Sequence, residues 1–275
     1  MSILSEIIRH KIAEVDERKS LYPTKLLEKS IYFNTEPVSL RKYLQREDKS
    51  GIIAEFKTKS PSKGDINPYA DVEKISVGYM QAGASALSIL TDQKYFGGNA
   101  QNLTKARKYN YCPILQKDFF VDEYQILEAK SIGADAILLI SSALPKTKIK
   151  NMAKLATSMG LEVLFEVHHM EELDKLNEYI EIVGVNNRDL KTFETNINQS
   201  IEMAAIIPDS LLKVSESGIN DAESLIKLRS YGYQGFLIGE NFMRTANPGR
   251  ACKELISDIK ELEKQINVKE LKSCK

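Results

Sequence analysis

An acid and a base stand two residues apart at the end of the first strongly apolar stretch of the chain. Residues 52–56 are apolar except for Glu55, Lys57 follows directly, and a Ser-Pro-Ser-Lys-Gly turn at 60–64 ends the stretch. If the stretch is a strand, its two-residue period places Glu55 and Lys57 on one side. Ionised groups at the end of a buried strand are costly unless they are paired. A structural ion pair and a pair that works on a substrate are both compatible with this stretch alone.

The same arrangement recurs at the ends of other apolar runs. Ionisable or amide side chains follow at least five of these runs, whereas a lone polar strand end is usually a solvated loop start. The groups are Glu55 and Lys57, Lys117 and Asp118, Glu166 and His168, Asn186 to Asp189, Glu216 and Ser217, and Glu240 and Asn241. If the fold brings these strand ends together at one edge, the side chains form a catalytic pocket with acids, bases and hydrogen-bond donors.

From residue 51 onward, the apolar runs alternate with stretches of helical periodicity. The runs lie at 52–56, 86–90, 113–116, 135–140, 162–167, 181–185, 212–215 and 235–238. Seven stretches between them carry helical periodicity, among them 70–82, 122–131 and 220–230, and an eighth helix is predicted at 248–265. This alternation predicts a parallel sheet built from βαβ units, and eight pairs match a (β/α)8 TIM barrel. A doubly wound open sheet is the main competitor, but the chain has no G-x-G-x-x-G turn.

The residues before this alternation predict helices and no strand. Over 2–19 the apolar residues recur every three or four positions, namely at Ile3, Ile7, Ile8, Ile12 and Val15. A second short helix is predicted at 38–46. No linker or low-complexity segment divides the rest of the chain. We therefore expect a single (β/α)8-barrel domain over 1–275, with 1–46 as its N-terminal helical extension.

Composition excludes several classes of function. Lys+Arg and Asp+Glu both number 38 in the 275 residues, so no overall charge favours nucleic acid or an anionic membrane. No stretch reaches the roughly 20 apolar residues of a membrane-spanning helix, and no signal peptide is evident. Cys112, Cys252 and Cys274 are too few and too widely spaced for a disulfide framework, which suits a cytoplasmic protein. The adjacent His168 and His169 do not have zinc-site spacing, so no metal is expected.

Glycines in the last two predicted strand-end loops suggest a phosphate site. Gly218 and Gly239 stand where backbone N–H groups can approach a ligand, and these two loops of a barrel often bind phosphate. Turn glycines without a ligand are also common. Lys59 and Ser60 in the first loop would add a positive charge and a hydroxyl.

Seven spaced motifs cover nearly the whole chain. They are Ala54-Glu55-Phe56-Lys57 with Ser60-Pro61-Ser62, Leu90-Thr91 with Lys94-Tyr95-Phe96, Gln116-Lys117-Asp118-Phe119, Glu166-Val167-His168, Gly184 to Leu190, Glu216-Ser217-Gly218 and Gly239-Glu240. Together they resemble the indole-3-glycerol-phosphate synthase family. The N-terminal helical extension is also typical of that family. Gln116 stands where many members have Arg, and Asn241 where Ser is common, but neither belongs to the matched catalytic set.

The resemblance implies a carboxy-lyase that needs no cofactor. The family closes the indole ring of 1-(2-carboxyphenylamino)-1-deoxyribulose 5-phosphate, giving indole-3-glycerol phosphate, CO2 and water. By this match Lys117 is the general acid and Glu166 the acid/base, while Lys57 binds the carboxylate and assists. Glu55 orients the lysines, and Asn186 and Ser217 hydrogen-bond the substrate.

The same resemblance implies the substrate contacts. Phe96, Phe119, Leu138 and Leu190 are the matched residues for an apolar slot around the aromatic ring, although each also suits ordinary core packing. The other matched substrate-binding residues are Lys59, Ser60, Arg188, Gly218, Gly239 and Glu240. The Glu240 carboxylate would repel phosphate, so its backbone N–H is the expected donor.

Other functions remain compatible with the sequence. A Schiff-base barrel would use Lys57 or Lys117 to form an imine with a keto-sugar phosphate. A phosphosugar isomerase would use the same fold, and a barrel that only binds phosphorylated ligands would lack chemistry. The expected partner is a small phosphorylated substrate, without nucleic acid or membrane, bound by a monomer or weak homo-oligomer.

Overall fold

The chain closes into a barrel of eight parallel strands, as the sequence predicts. The computed structural model describes residues 3–189 and 192–273, with only the backbone beyond residue 266. The strands are β1 (Ile52–Phe56), β2 (Ala86–Leu90), β3 (Ile114–Lys117), β4 (Ala136–Ile140), β5 (Glu162–Val167), β6 (Ile182–Asn186), β7 (Leu212–Glu216) and β8 (Tyr233–Ile238). Each strand pairs with the next, and β8 returns to β1 with Phe236 opposite Ile52. A separate short antiparallel pair, Lys59–Ser60 with Gly64–Asp65, follows β1.

Alternation along the strands separates the barrel interior from the outer layer. Ile53, Leu115 and Leu164 are fully buried and pack together inside the barrel. Two residues further along the same strands stand Glu55, Lys117 and Glu166, which line a cavity. Because the side-chain period of a strand is two, the inward face changes from apolar at the bottom to ionisable at the mouth. The other face packs against the helices, as Ile52 and Phe165 do.

Helices cover the outside of the barrel. In the described residues they are α1 (Ile3–Leu21), α2 (Thr24–Leu27), α3 (Leu40–Leu44), α4 (Val72–Ala82), α5 (Gln93–Phe96), α6 (Ala100–Tyr109), α7 (Tyr124–Ile132), α8 (Lys146–Ser158), α9 (Asn198–Ala204), α10 (Ala222–Ser230), α11 (Glu240–Met243) and α12 (Pro248–Ser273). Their starts follow ordinary capping chemistry. Asp71, for example, accepts a hydrogen bond from the Glu73 N–H at the start of α4.

One connection departs from the predicted alternation of strands and helices. Between β5 and β6 the chain forms the 3-10 helix Met170–Lys175 instead of an α-helix. This connection, 168–181, is the shortest between consecutive barrel strands, so it leaves little room for helical turns and two loops. A second 3-10 helix, Ser141–Ala143, precedes α8.

The N-terminal extension reaches both ends of the barrel. Ile7 and Val15 of α1 are buried as predicted, whereas Ile12 is 48% exposed. The amino end of α1 lies at the mouth, where Ile7 lines the cavity. At the bottom, Leu40 and Leu44 of α3 are buried within the interior cluster. The extension therefore closes the lower end of the barrel and forms part of the wall at the upper end.

Candidate active site

A cavity of about 790 Å³ opens at the carboxyl ends of the strands. Most of the residues predicted for the site line it together, and they come from all eight strands or the segments that follow them. They are Glu55, Lys57, Ser60, Phe96, Lys117, Phe119, Leu138, Glu166, Asn186, Arg188, Ser217, Gly218, Gly239 and Glu240. A cavity of this size can enclose a small phosphorylated molecule.

The ammonium of Lys117 lies between two carboxylates. Its Nζ is 3.1 Å from Oε2 of Glu166 and 2.6 Å from Oε2 of Glu216, and it donates a hydrogen bond to each. Lys117 stands at the end of β3, and the two glutamates occupy the inward positions near the ends of β5 and β7. All three side chains are largely withdrawn from solvent but border the cavity.

Burial and the neighbouring charges together set the protonation of this cluster. Burial alone would lower the pKa of Lys117, but Glu216, Glu166 and Glu55 outweigh it and raise that pKa above its usual value. Burial raises the pKa of Glu216 to about 8, against the Lys117 charge and with the repulsion of Glu166. For Glu166, burial is outweighed by the charges of Lys117 and His168 and by hydrogen bonds from Lys117 and Asn186, so its pKa lies below usual. Lys117 therefore keeps its proton, while the two glutamates differ in how readily they ionise.

A second ion pair stands beside the first. Lys57 Nζ lies 2.7 Å from Oε1 of Glu55, and the other oxygen of Glu55 accepts a hydrogen bond from Ser88 at 3.5 Å. Gly239 passes so close to Glu55 that a Cβ atom there would collide with its carboxylate. Glycine at 239 is therefore required for the carboxylate to occupy this position. The predicted juxtaposition of Glu55 and Lys57 is an ion pair that faces the cavity.

Apolar side chains form one side of the cavity. The rings of Phe96 and Phe119 lie 5.9 Å apart between centroids and are tilted by 39°. Leu138 of β4 is buried beside them in the interior cluster, to which Phe119 packs. Ile3 and Ile7 of α1 also line the cavity. A flat aromatic group would therefore meet an apolar surface here.

The opposite side is rich in polar groups. Arg188 places its Nη2 atom 3.2 Å from Oε2 of Glu240, which keeps that carboxylate paired. Ser217 has a left-handed backbone with φ 66°, which is uncommon for a residue with a side chain, and Gly218 follows with φ 75°. Ser60 is buried at the edge of this region. These groups and the backbone of the loops after β7 and β8 make a polar end suited to an anion.

One predicted site residue in the described part of the chain does not line the cavity. Lys59 lies in the short antiparallel pair beside Gly97, and Lys63 of the same loop lines the cavity instead. Leu190 falls outside the described residues.

Sequence reasoning gave no role to several residues that line the cavity. Glu216 was recognisable as an inward strand-end residue, but only its neighbours Ser217 and Gly218 received roles. Arg244 at the polar end and the apolar residues of α1 also line the cavity. The contribution of α1 depends on where the extension docks, which periodicity does not report.

His168 is buried at the end of β5, with Nε2 3.7 Å from Oε1 of Glu166.

Across residues 3–189 and 192–273, no group of three or more His, Cys, Asp or Glu side chains is arranged to hold a metal ion. Within the same part of the chain, no helix has the length and apolar character needed to cross a membrane.

Comparison with solved structures reproduces the fold. The tryptophan synthase alpha subunit of Legionella pneumophila superposes over 81% of this chain and 97% of its own with a TM-score of 0.59, at 12% identity. Thiamine phosphate pyrophosphorylase from Pyrococcus furiosus gives a TM-score of 0.59 at 15% identity, over 81% and 98% of the two chains. At such low identity, the likeness concerns the barrel alone.

Sequence comparison goes further than the fold. The family model for indole-3-glycerol phosphate synthase matches residues 4–255. The indole-3-glycerol phosphate synthase of Bacteroides thetaiotaomicron is 47% identical over 94% of this chain and 98% of its own. That of Carboxydothermus hydrogenoformans is 39% identical over 92% and 97% of the two chains. The match spans both the extension and the barrel, and the chain belongs to the indole-3-glycerol phosphate synthase family.

Proposed function

We propose that this chain closes the indole ring of 1-(2-carboxyphenylamino)-1-deoxyribulose 5-phosphate with Lys117 as general acid. The reaction joins an aromatic ring carbon to the ketone carbon and releases CO2 and water, leaving indole-3-glycerol phosphate. It involves no net oxidation or reduction, since the ring supplies the nucleophile and the ketone accepts it. The observation that carries the assignment of the acid is the charged Lys117 ammonium at the cavity, held between Glu166 and Glu216.

Ring closure begins when the ketone is made electrophilic. An ammonium beside the carbonyl oxygen polarises it and supplies a proton as the new carbon–carbon bond forms. Lys117 is suited to this step because Glu55 and the ionised Glu166 favour its charged form, while Glu166 and Glu216 hold the ammonium in place. Glu216 contributes by accepting a hydrogen bond from the Lys117 ammonium at 2.6 Å. Together with the hydrogen bond to Glu166, this fixes the direction of the third N–H, which is the one proposed to protonate the ketone.

The substrate carboxylate must be bound before it leaves as CO2. Lys57 is the proposed partner, because its ammonium borders the cavity and carries a charge opposite to that of the carboxylate. Glu55 orients Lys57 through the 2.7 Å ion pair. The aromatic ring then lies against Phe96, Phe119 and Leu138.

Loss of water completes the indole. Glu166, whose pKa below the usual value keeps it ionised, takes the proton from the anilino nitrogen as the hydroxyl leaves as water with a proton from Lys57. The adjacent ring CH2 then gives a proton back to Lys57, and Glu166 returns its proton to the nitrogen, which restores the N–H of indole. Asn186 donates a hydrogen bond to Glu166, and with Ser217 it is the proposed hydrogen-bonding partner of the substrate near the reacting carbon.

The phosphate is proposed to bind at the polar end of the cavity. Ser60, Gly218, Gly239 and the backbone N–H of Glu240 offer neutral donors, while Arg188 keeps the Glu240 carboxylate paired. Lys63 supplies a positive charge from the first loop, where the sequence alone favoured Lys59. Leu190 remains a predicted ring contact.

A Schiff-base mechanism at Lys117 fits this geometry less well. Imine formation needs a neutral amine, and the carboxylates around Lys117 raise its pKa above the usual value. Borohydride added with substrate would trap an imine as a covalent lysine adduct, and no adduct is expected. A phosphosugar isomerase on this fold would instead turn over phosphoribosylanthranilate.

The proposed chemistry is tested by adding the carboxyphenylamino substrate and following indole fluorescence. The wild-type chain should give the signal, and Lys117→Ala should abolish it while the fold survives. Lys146→Ala is the matched control, since Lys146 pairs with Asp174 on the exposed surface of the protein. Full activity of Lys117→Ala would contradict the assignment of the general acid.

We further propose that residues 1–275 act as a single barrel domain in the cytoplasm, as a monomer or weak homo-oligomer. Cys112 and Cys252 are buried free thiols, which suits a reducing compartment.

A further inference from the structure

Lys11 of α1 is a buried lysine outside the cavity. Its side chain has 0% exposure, and Nζ lies 2.8 Å from Asp92, 3.0 Å from Asp118 and 3.0 Å from Glu14. Glu14 belongs to the same helix, whereas the two aspartates follow β2 and β3 of the barrel. Lys11 therefore joins the extension to two loops at the barrel mouth.

Stability alone is a weak reason for this arrangement. Burial works against the charged form of Lys11, but Asp118, Asp92 and Glu14 outweigh it and raise the pKa, so the lysine stays charged. Buried ion pairs are often no more stabilising than apolar residues of similar size. A methionine at position 11 with neutral neighbours would anchor the helix equally well. The charged cluster therefore suggests that the positions of these carboxylates serve the site and not only stability.

Asp118 ties Lys11 to the backbone that carries Lys117. One oxygen of Asp118 accepts the Thr91 hydroxyl at 2.5 Å, and the other accepts the Phe119 N–H at 2.8 Å. The N–H of Thr91 in turn donates to the carbonyl of Lys117 at 3.1 Å. The ammonium of Lys11 thus neutralises the carboxylate around which the end of β3 is arranged.

Asp92 ties Lys11 to the loop that carries Phe96. Its other oxygen accepts the N–H of Tyr95 at the start of α5, at 2.8 Å. The Tyr95 hydroxyl donates to Glu6 of α1 at 3.0 Å. Helix α1 is therefore held against this loop by Glu6, which precedes Ile7, and by Lys11, one helical turn after it. Ile7 itself lines the cavity.

We propose that Lys11 is a positioning residue for ring closure. It couples α1 to Asp118 and Asp92 and so fixes the general acid, the aromatic slot and the wall of α1 relative to one another. This inference rests on the proposed function, since it concerns the same cavity. Lys11 does not line the cavity and acts through its neighbours.

The test is Lys11→Met in the full chain, which keeps an unbranched side chain, one heavy atom shorter, and removes the charge. We expect kcat to fall about tenfold and KM to rise about tenfold, because both the acid and the cavity wall shift. Lys19→Met is the matched control. Lys19 lies on the same helix and pairs with Asp122 at 2.6 Å, but it is 37% exposed and far along α1 from the cavity-lining residues. Its KM and kcat should equal those of the wild type.

KM separates positioning from a purely structural role. If the substitution only lowers the folded fraction, apparent kcat falls while KM stays at the wild-type value, and that result overturns the inference. Asp92→Asn is the second variant should Lys11→Met not fold. It keeps an acceptor for the Tyr95 N–H, removes the charge that faces Lys11, and should also raise KM. An unchanged KM there overturns the inference as well. A wild-type chain without ring closure would instead refute the proposed function itself.

Discussion

Strand β5 carries a glutamate near each end, and the two carboxylates have opposite surroundings. Glu162 at the bottom accepts hydrogen bonds from the Ser39 hydroxyl at 2.5 Å and the Arg41 N–H at 2.8 Å, which fastens α3 beneath the barrel. Glu166 at the mouth faces the ammonium of Lys117 and borders the cavity. The same residue type on one strand therefore anchors the extension at the bottom of the barrel and lines the cavity at its mouth.

The difference extends to the whole barrel. At the bottom, Leu40 and Leu44 close the interior with apolar contacts. At the mouth, charges are buried close to one another around a cavity, where pairing only partly offsets the loss of hydration. In such a barrel, the residues at the mouth can be substituted, and the reaction changed, without altering the apolar contacts that stabilise the fold. We expect substitutions at the two ends to separate activity from stability.

Glu166→Gln should show the largest effect of the four substitutions predicted here. It removes the proposed base while keeping the shape of the side chain, so kcat should fall by about 10²–10⁴-fold. The barrel should remain folded because Lys117 keeps Glu216 as a partner. The rate of indole formation and the thermal midpoint measured on the same sample check both statements. A variant with nearly full kcat would remove Glu166 from the mechanism.

Leu44→Ala tests the bottom of the barrel. Leu44 is 4% exposed inside the interior cluster, so truncation should lower the free energy of unfolding by about 2–5 kcal/mol. The kcat and KM of the remaining folded protein should be unchanged, since the cavity lies at the other end. Leu26→Ala on α2 is the control, because Leu26 is 50% exposed. Denaturant unfolding of both variants gives the comparison, and a loss of substrate affinity in Leu44→Ala would show that the two ends are coupled.

The sequence predicted the barrel better than it predicted the extension. Apolar runs with flanking turns locate strands reliably, and all eight predicted runs overlap the observed strands. The connection 168–181 was different, because its length limits helix formation more than its composition indicates. Periodicity likewise revealed the helices of the extension but not the positions of Ile7 at the mouth and Leu44 at the bottom, which depend on tertiary packing.

The site was predictable where it follows from strand alternation. Glu55, Lys117 and Glu166 each stand two residues after an inward apolar residue, so the barrel fold alone brings them together. Strand alternation does not determine the place of Lys59, because this residue lies beyond the strand in a loop whose path sets which lysine faces the cavity. Its role as a substrate contact stays a prediction. The same holds for Lys11, whose partners are distant in sequence and come together only when α1 docks.

Glu216→Gln tests whether a buried carboxyl group at the mouth makes the stability of the protein depend on pH. With a folded pKa of about 8, Glu216 keeps its proton where the unfolded chain has lost it, so folding binds more protons. Its contribution to stability is therefore complete at low pH and declines as pH rises from about 4.5 to about 8. Glu166, with its pKa below usual, stays ionised over the upper part of this range. The stability of the wild type relative to Glu216→Gln should fall by about 3–4 kcal/mol between about pH 5 and about pH 8, measured by urea unfolding. A difference that does not vary with pH would show that Glu216 is ionised throughout.

Glu162→Gln returns to the other end of the same strand, with the smallest expected effect. The amide keeps one acceptor oxygen but offers an amino group to either the Ser39 hydroxyl or the Arg41 N–H, so one hydrogen bond to α3 is lost or weakened. The free energy of unfolding should fall by about 1 kcal/mol, the net contribution of a typical intramolecular hydrogen bond. Indole formation should proceed at the wild-type rate, because Glu162 lies at the bottom of the barrel, whereas Glu166 borders the cavity. Urea midpoints and kcat measured beside those of Glu166→Gln make the contrast direct. If Glu162→Gln lowered kcat without lowering stability, the bottom of the barrel would have a part in positioning the mouth, and the division between the two ends would no longer hold.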